Sequence, residues 1–222
     1  MVLYIDKYDS RKQIVEKNTY IRVDGGDGTL LTAIHDFAHL NKPFYGVAGG
    51  TKNFLMNECP IKAPTAIVVK FNLLKVTIHF VDQTKASCTV EAFNDILIGS
   101  FGGYVTFTST HKDNQVSEFR GASLVVSTAQ GSTGINLNSE GVVLPLTSKD
   151  WAITNAQATK KVRVVVNPTP LIINTTARDS VKVNVDGKGY TYDGISSVLV
   201  EQGREVNVIF NDIHELQLKR QN

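Results

Sequence analysis

Cysteine is scarce: Cys59 and Cys88 are the only two among 222 residues. Neither sits in a metal-ligand spacing, and a lone pair is no disulfide framework, so both read as reduced structural thiols. No stretch approaches the roughly 18 to 20 apolar residues that span a bilayer. The segment Met1 to Ser10 lacks the basic region and apolar run of a secretory leader, so a cytoplasmic location is expected. No long run of one charge occurs and the formal net charge is only +2, which argues against a dedicated DNA binder. Such a balance still allows a local basic site for an anionic small molecule. Internal repeats and low-complexity segments are also missing.

What is present is the composition of a soluble globular protein with a real core: 42% hydrophobic and 20% charged residues. The first quarter reads as α/β. Strands are expected at Val2 to Ile5, Tyr20 to Val23 and Phe44 to Val47, with a short helix over Arg11 to Lys17. Leu30, Leu31, Ile34, Phe37, Ala38 and Leu40 fall at helical spacing. From about Pro64 the texture turns to β-branched and aromatic runs: Ala66 to Lys70, Val76 to Val81, Tyr104 to Phe107 and Ala122 to Ser127. Later runs are Val162 to Val166, Leu171 to Ile173, Val181 to Val185, Ser197 to Val200 and Val206 to Phe210. Turns are expected at 111–114, at 186–189 and at Gln202-Gly203. The expected fold class is therefore α/β plus β. Residues 1–60 form a small nucleotide-binding α/β domain, residues 61–210 a larger β-rich, sandwich-like domain, and residues 211–222 a tail with a strand candidate at Ile213 to Leu218.

The string Gly25-Gly26-Asp27-Gly28-Thr29 lies between an expected strand and an expected helix. Glycines let the backbone approach an oxygen-rich ligand, and Thr29 is well placed to start a helix whose free amides attract phosphate. A carboxylate beside phosphate is costly unless it has a task, such as holding Mg²⁺ or taking the proton of an attacking hydroxyl. No Gly-Lys-Ser/Thr follows, so this is not a Walker A loop. A plain tight turn is the competing reading.

Three further strings follow in order. In Gly46-Val47-Ala48-Gly49-Gly50-Thr51-Lys52-Asn53-Phe54-Leu55, Phe54 is either a core residue or an aromatic face for a base, and Asn53 suits a left-handed backbone. In Phe93-Asn94-Asp95, the amide of Asn94 has donors and an acceptor for a ribose or an adenine edge, or the string is a turn. In Phe119-Arg120-Gly121 followed by Ser127-Thr128-Ala129-Gln130-Gly131-Ser132-Thr133-Gly134-Ile135-Asn136, the bend at Gly131-Ser132-Thr133 after a strand offers hydroxyls and amides. His35 and His39 lie four apart on a helix with no third ligand, and His79, His111 and His214 share no metal or triad spacing, so no metal site is expected. Trp151 and Ile153 read as core.

Together the four strings resemble the NAD kinase family, within the superfamily that also holds diacylglycerol kinases and phosphofructokinases. The resemblance runs from about Ile21 to about Val200. It implies transfer of the γ-phosphate of ATP, with Mg²⁺, to the 2′-hydroxyl on the adenosine ribose of NAD. It implies Asp27 as the catalytic group, and Gly25, Gly26, Gly28 and Thr29 at the phosphates. Phe54, Asn94, Asp95, Thr128, Gly131, Ser132 and Thr133 are implied as nucleotide-binding residues. Asp186-Gly187 resembles a family turn and reads as structural. A dimer or tetramer is implied as well.

The chain departs from the family pattern in three places. Ala122-Ser123 stands where relatives have Asp-Gly, which removes an acid facing the dinucleotide. Gly134-Ile135 replaces Ala-Tyr, which removes an aromatic ring and a phenol from the same pocket. Only 24 residues precede the glycine loop. Three other readings stay open: a kinase of another adenosine compound, a nucleotide-binding protein without turnover, and a kinase of lipid alcohols. Retention of Asp27 favours catalysis.

Overall fold

A computed structural model describes residues 2–3, 13–17, 19–58, 66–100, 103–110, 116–158, 160–175, 181–188 and 190–221. Cys59 and the expected turn at 111–114 lie outside these residues. In chain order the elements begin with β1 (Val2–Leu3), β2 (Gln13–Glu16), β3 (Ile21–Gly25), α1 (Asp27–Phe37) and β4 (Phe44–Ala48). Then come β5 (Ile67–Phe80), β6 (Cys88–Ala92), β7 (Asp95–Gly99), β8 (Val105–Thr110), β9 (Val116–Gly121) and β10 (Ser123–Ser127). The rest are β11 (Trp151–Ala156), β12 (Arg163–Val166), β13 (Leu171–Thr175), β14 (Lys182–Val185), β15 (Tyr190–Asp193), β16 (Ile195–Phe210) and α2 (Ile213–Gln221). The chain divides into two compact units, residues 1–71 with 205–222, and residues 72–204.

The first unit is α/β. Strand β3 runs parallel to β4, with Ile21 opposite Phe44 and Val23 opposite Gly46. Strands β1 and β2 extend this sheet antiparallel on one side, and the end of β16 joins β4 in parallel on the other, Val208 opposite Phe44. Alternation along β3 buries Ile21, Val23 and Gly25. Helix α1 packs Leu30, Ala33 and Ile34 against β3 and β4. Phe71 and Phe210 meet edge to face with centroids 6.0 Å apart.

Two segments of this unit differ from the sequence reading. Residues 13–16, expected in a helix, form β2, because pairing with the exposed edge of β3 overrides local propensity. The segment from Ile213, expected as a strand, is helix α2. Its start is fixed by Asp212, whose Oδ1 accepts from the amides of His214 at 2.8 Å and Glu215 at 3.2 Å. Helix formers such as Gln, Lys and Arg then carry it.

The second unit is two β-sheets around one core. In one sheet the order is β12-β11-β10-β7-β14-β15. In the other, β13 pairs with β16 and β8, β8 pairs with β9, and β5 pairs with β6. Ile96, Ile98, Leu124, Val126 and Ile153 of the first sheet pack with Val76, Phe107, Phe119, Ile173 and Val198 of the second. Trp151 joins this core. Gln202-Gly203 is not a turn: β16 runs unbroken through it. A Cβ at Gly203 would come within 3.0 Å of the Leu73 carbonyl oxygen, so the glycine answers a close backbone neighbour. Likewise the runs at 66–70 and 76–81 are one strand, β5. No helix among the described residues is long and apolar enough to cross a membrane.

Candidate nucleotide site

In the first unit the chain leaves β3 through Gly25, at φ +154, where a side chain would strike Thr29 Oγ1 at 2.5 Å. Gly26 caps α1, and the amides of Thr29 and Leu30 donate back to its carbonyl at 2.9 and 3.1 Å. The helix therefore starts at Asp27, not at Thr29 as the sequence suggested, and a carboxylate in the first turn suits the positive end of the helix. Thr29 is buried and Gly28 exposed.

Asp27 is held by the second glycine loop. Its Oδ2 accepts from the amide of Phe54 and its Oδ1 from that of Leu55, both at 2.9 Å. Those amides are aimed by Asn53, which takes φ +55 and clasps Gly50 through both side-chain atoms. Gly49 donates to the Gly25 carbonyl at 2.6 Å, which ties the two loops together. Phe54 is half-buried. Burial pushes the Asp27 carboxyl above its ordinary range, against the opposing pull of the Leu55 and Phe54 amides and the charge of Arg220. Each oxygen keeps a lone pair beyond the one an amide uses, so the group can still accept a proton.

Arg220, near the end of α2, is a residue the sequence reading missed. It is 4% exposed, and burial pushes its guanidinium down to about 10 while Asp27 pulls it back up. Helix α2 is anchored by buried Leu216, by a Lys219–Glu58 ion pair and by Asn57. Asn57 donates to the Gly46 and Ile209 carbonyls at 2.9 and 3.0 Å and accepts from the Asn211 amide at 2.7 Å. The Asp212-x-x-Glu215 helix start was the legible signal for this element.

In the second unit the strings at 93–95 and 128–133 lie together. Thr128 Oγ1 donates toward the Phe93 and Asn94 carbonyls at 2.8 and 2.9 Å, and the Thr128 amide donates to the latter. A Cβ at Gly131 would lie 2.2 Å from the Asn94 oxygen, so only glycine fits. Ser132 is fully buried, its hydroxyl bonded to the Ala129 carbonyl and to the Leu144 amide. Thr128 and Ser132 thus knit the loop, while Thr133 sits at 9% exposure in a kinked helical turn, Ser132–Asn136. Asn136, also unforeseen, staples that turn to the Ser132 and Val142 carbonyls.

Asp186 does what its place in a structural turn suggests, and more. At φ +53 it turns the β14–β15 hairpin, and its carboxylate accepts from the amides of Phe93, Asn94 and Asp95 at 2.7, 2.8 and 3.0 Å. Asp95 is buried beside it; desolvation, then the Asp186 charge, push its carboxyl up to about 7. Asn94 Oδ1 is buried and accepts no hydrogen bond. An orphaned acceptor next to a carboxyl inclined to be protonated is a place for a polar ligand edge.

The same unit holds a cavity of about 550 Å³. Two of the three departures noted in the sequence, at Ala122 and Ile135, line it, together with Tyr104, Lys182 and Asn184. Among the described residues no three His, Cys, Asp or Glu side chains gather as a metal site.

No protein-family model matches the chain. A NAD kinase of Rickettsia canadensis is 30% identical over 234 residues, spanning 91% of this chain and 84% of the relative. The NAD kinase of Rickettsia conorii is 29% identical with the same coverage. Among solved structures, an Archaeoglobus fulgidus NAD kinase in complex with ATP matches with a TM-score of 0.68 at 16% identity, over 89% of this chain and 80% of that one. A yeast NADH kinase complexed with NADH matches at 0.76 and 16% identity, over 89% and 63%. These two structures share the fold, an α/β unit with a β-sandwich. With the sequence relatives aligned over 91% of its length, the chain belongs to the NAD kinase family.

Proposed function

We propose that this protein is a working NAD kinase, which moves the γ-phosphoryl group of ATP to the 2′-hydroxyl of the adenosine ribose of NAD. The observation that carries the reading is the Asp27 carboxylate, fixed by two backbone amides at the head of α1 inside a glycine loop. A bond forms between the ribose 2′-oxygen and the γ-phosphorus, the bond to the β-phosphate oxygen breaks, and ADP leaves. The hydroxyl proton goes to Asp27, which burial makes a stronger base than an ordinary carboxylate.

The glycine backbone at 25, 26 and 28 serves the phosphates, with Thr29 packed beneath Gly25. Phe54 offers its ring to a base. Asn94 and Asp95 take ribose or adenine groups, supported by the orphaned acceptor of Asn94. Gly131 lets the 128–133 loop close on Asn94, while Thr128, Ser132 and Thr133 shape that wall. Mg²⁺ is proposed to arrive with ATP, as part of the MgATP substrate, on the family likeness. A cytoplasmic homo-oligomer is proposed on the family likeness alone.

The test is incubation with MgATP and a panel of NAD, NADH and adenosine compounds, with the new 2′-phosphate read by mass. Asp27→Asn should lower kcat at least about 100-fold with a smaller change in KM. Unchanged turnover would refute the base, and nucleotide binding without product would favour a sequestering protein.

A further inference from the structure

We infer that Lys52 is a donor-binding residue: its ammonium group, carried on the second glycine loop, holds the terminal phosphates of the nucleotide triphosphate at the head of α1. The inference rests on the NAD kinase reading above.

The head of α1 is short of positive charge for such a ligand. A triphosphate stays anionic even with Mg²⁺, and Asp27 adds a carboxylate in the first turn. The helix itself offers roughly half a unit charge, and no described side chain caps it. Most cations of the first unit are engaged elsewhere. Arg22 grips Asp24 at 2.8 to 3.1 Å, and Lys42 donates to the Lys17 carbonyl at 3.1 Å. Lys70 pairs with Glu205 and Lys219 with Glu58, while Arg220 is buried within the field of Asp27. Among the described residues of this unit, two lysine side chains, Lys17 and Lys52, meet no acid or carbonyl, and both are exposed. Lys17 precedes β3, its amide donating to the Tyr20 carbonyl, so it stands at the opposite end of that strand from Gly25.

Lys52 stands at the loop end. It lies in the turn from Gly50 to Asn53, which Asn53 closes by accepting from the Gly50 amide at 3.2 Å and donating to the Gly50 carbonyl at 2.6 Å. The backbone of Gly50 abuts the first loop: a Cβ there would lie 3.1 Å from the Cα of Gly26, the residue that caps α1. Lys52 is thus two positions from a contact with the helix head. The residues after the turn, Phe54 and Leu55, are those whose amides hold Asp27. One short segment therefore fixes the carboxylate and carries the lysine. A flexible four-carbon stem ending in a compact point charge suits phosphate. The lysine that a Walker A loop would place after its own glycines comes here from the neighbouring loop. Asp27 then serves the hydroxyl proton and Lys52 the phosphates.

The experiment measures kcat and KM for MgATP and for NAD, and the dissociation constants of MgATP and adenosine, with melting curves alongside. The proteins compared are the wild type, Lys52→Gln, Lys52→Arg and Lys17→Gln. Lys52→Gln should raise both KM and the dissociation constant for MgATP about tenfold or more, the scale of one hydrogen bond to a charged group. KM for NAD, adenosine binding and Tm should stay where they are. Lys52→Arg should recover most of the loss. Lys17→Gln makes the same change of charge at the far end of β3 and should match the wild type. A folded Lys52→Gln with unaltered KM for MgATP, or a loss that Lys17→Gln reproduces, overturns the inference. If nothing is phosphorylated, the kinase reading fails and the dissociation constants alone decide. Weaker MgATP binding in Lys52→Gln with adenosine unaffected then supports the phosphate contact, and equal or absent MgATP binding overturns it.

Discussion

At the residue scale, two neighbouring aspartates in one unit sit in opposite surroundings. Asp186 receives three amides, whereas Asp95 receives burial and a negative neighbour. Raising a carboxyl to about 7 in the fold, from its usual value near 4 in the unfolded chain, means the folded protein binds the proton more tightly. This group's contribution to stability is full below about pH 4, falls as pH rises, and is lost above about pH 7. Asp95→Asn keeps the shape and removes the ionisation. Chemical denaturation from pH 4 to 8 should therefore show a shallower decline for the variant, which should exceed the wild type at pH 8 and match it near pH 4. None of this was legible in the sequence. Asn94-Asp95 could be read as a ligand pair or a turn, but the carboxylate that governs it comes from a hairpin 91 positions away.

At the element scale, the loops were legible as strings and obscure as structures. Asn53 could be assigned a left-handed backbone because few residues tolerate one, and it adopts it. The hydroxyls of Thr128 and Ser132 invited a ligand reading, yet both are used to bind the loop to its neighbours. Hydroxyl-rich strings look alike whether they face a ligand or the chain itself. Strand β2 and helix α2 were misread for a related reason, since one depends on an edge to pair with and the other on a cap at Asp212. The tightest geometric demand is at Gly131, where a methyl group would press on the Asn94 carbonyl at 2.2 Å. Gly131→Ala should cost about 1–3 kcal/mol, a fall in Tm of several degrees by calorimetry. It should also weaken nucleotide binding, because Asn94 must shift.

At the scale of the whole molecule, the first unit is discontinuous. It needs residues 205–222 as well as 1–71, and the former supply the β16 partner of β4, the Asn57 network and Arg220. A chain stopped after Arg204 should keep the β-sheet signature of the second unit by circular dichroism, because its core is drawn from residues 74–200. It should lose phosphoryl transfer completely, and soluble yield should drop. The α/β-plus-β class could be read from hydrophobic periodicity, but periodicity carries no mark of where the chain departs from one unit and returns to it. Both crossings fall inside long strands, β5 and β16, so no linker composition betrays them.

That discontinuity sets an order for the nascent chain. A ribosome finishes every residue of the second unit before it makes the last pieces of the first, so the usual N-terminus-first sequence of domain folding is inverted here. Until β16 emerges, β4 lacks the strand that pairs with it at Phe44, and an open strand edge of this kind invites pairing with a neighbouring polypeptide. The glycine loops are thus translated early and completed late, and the interval between is when this protein most needs a chaperone.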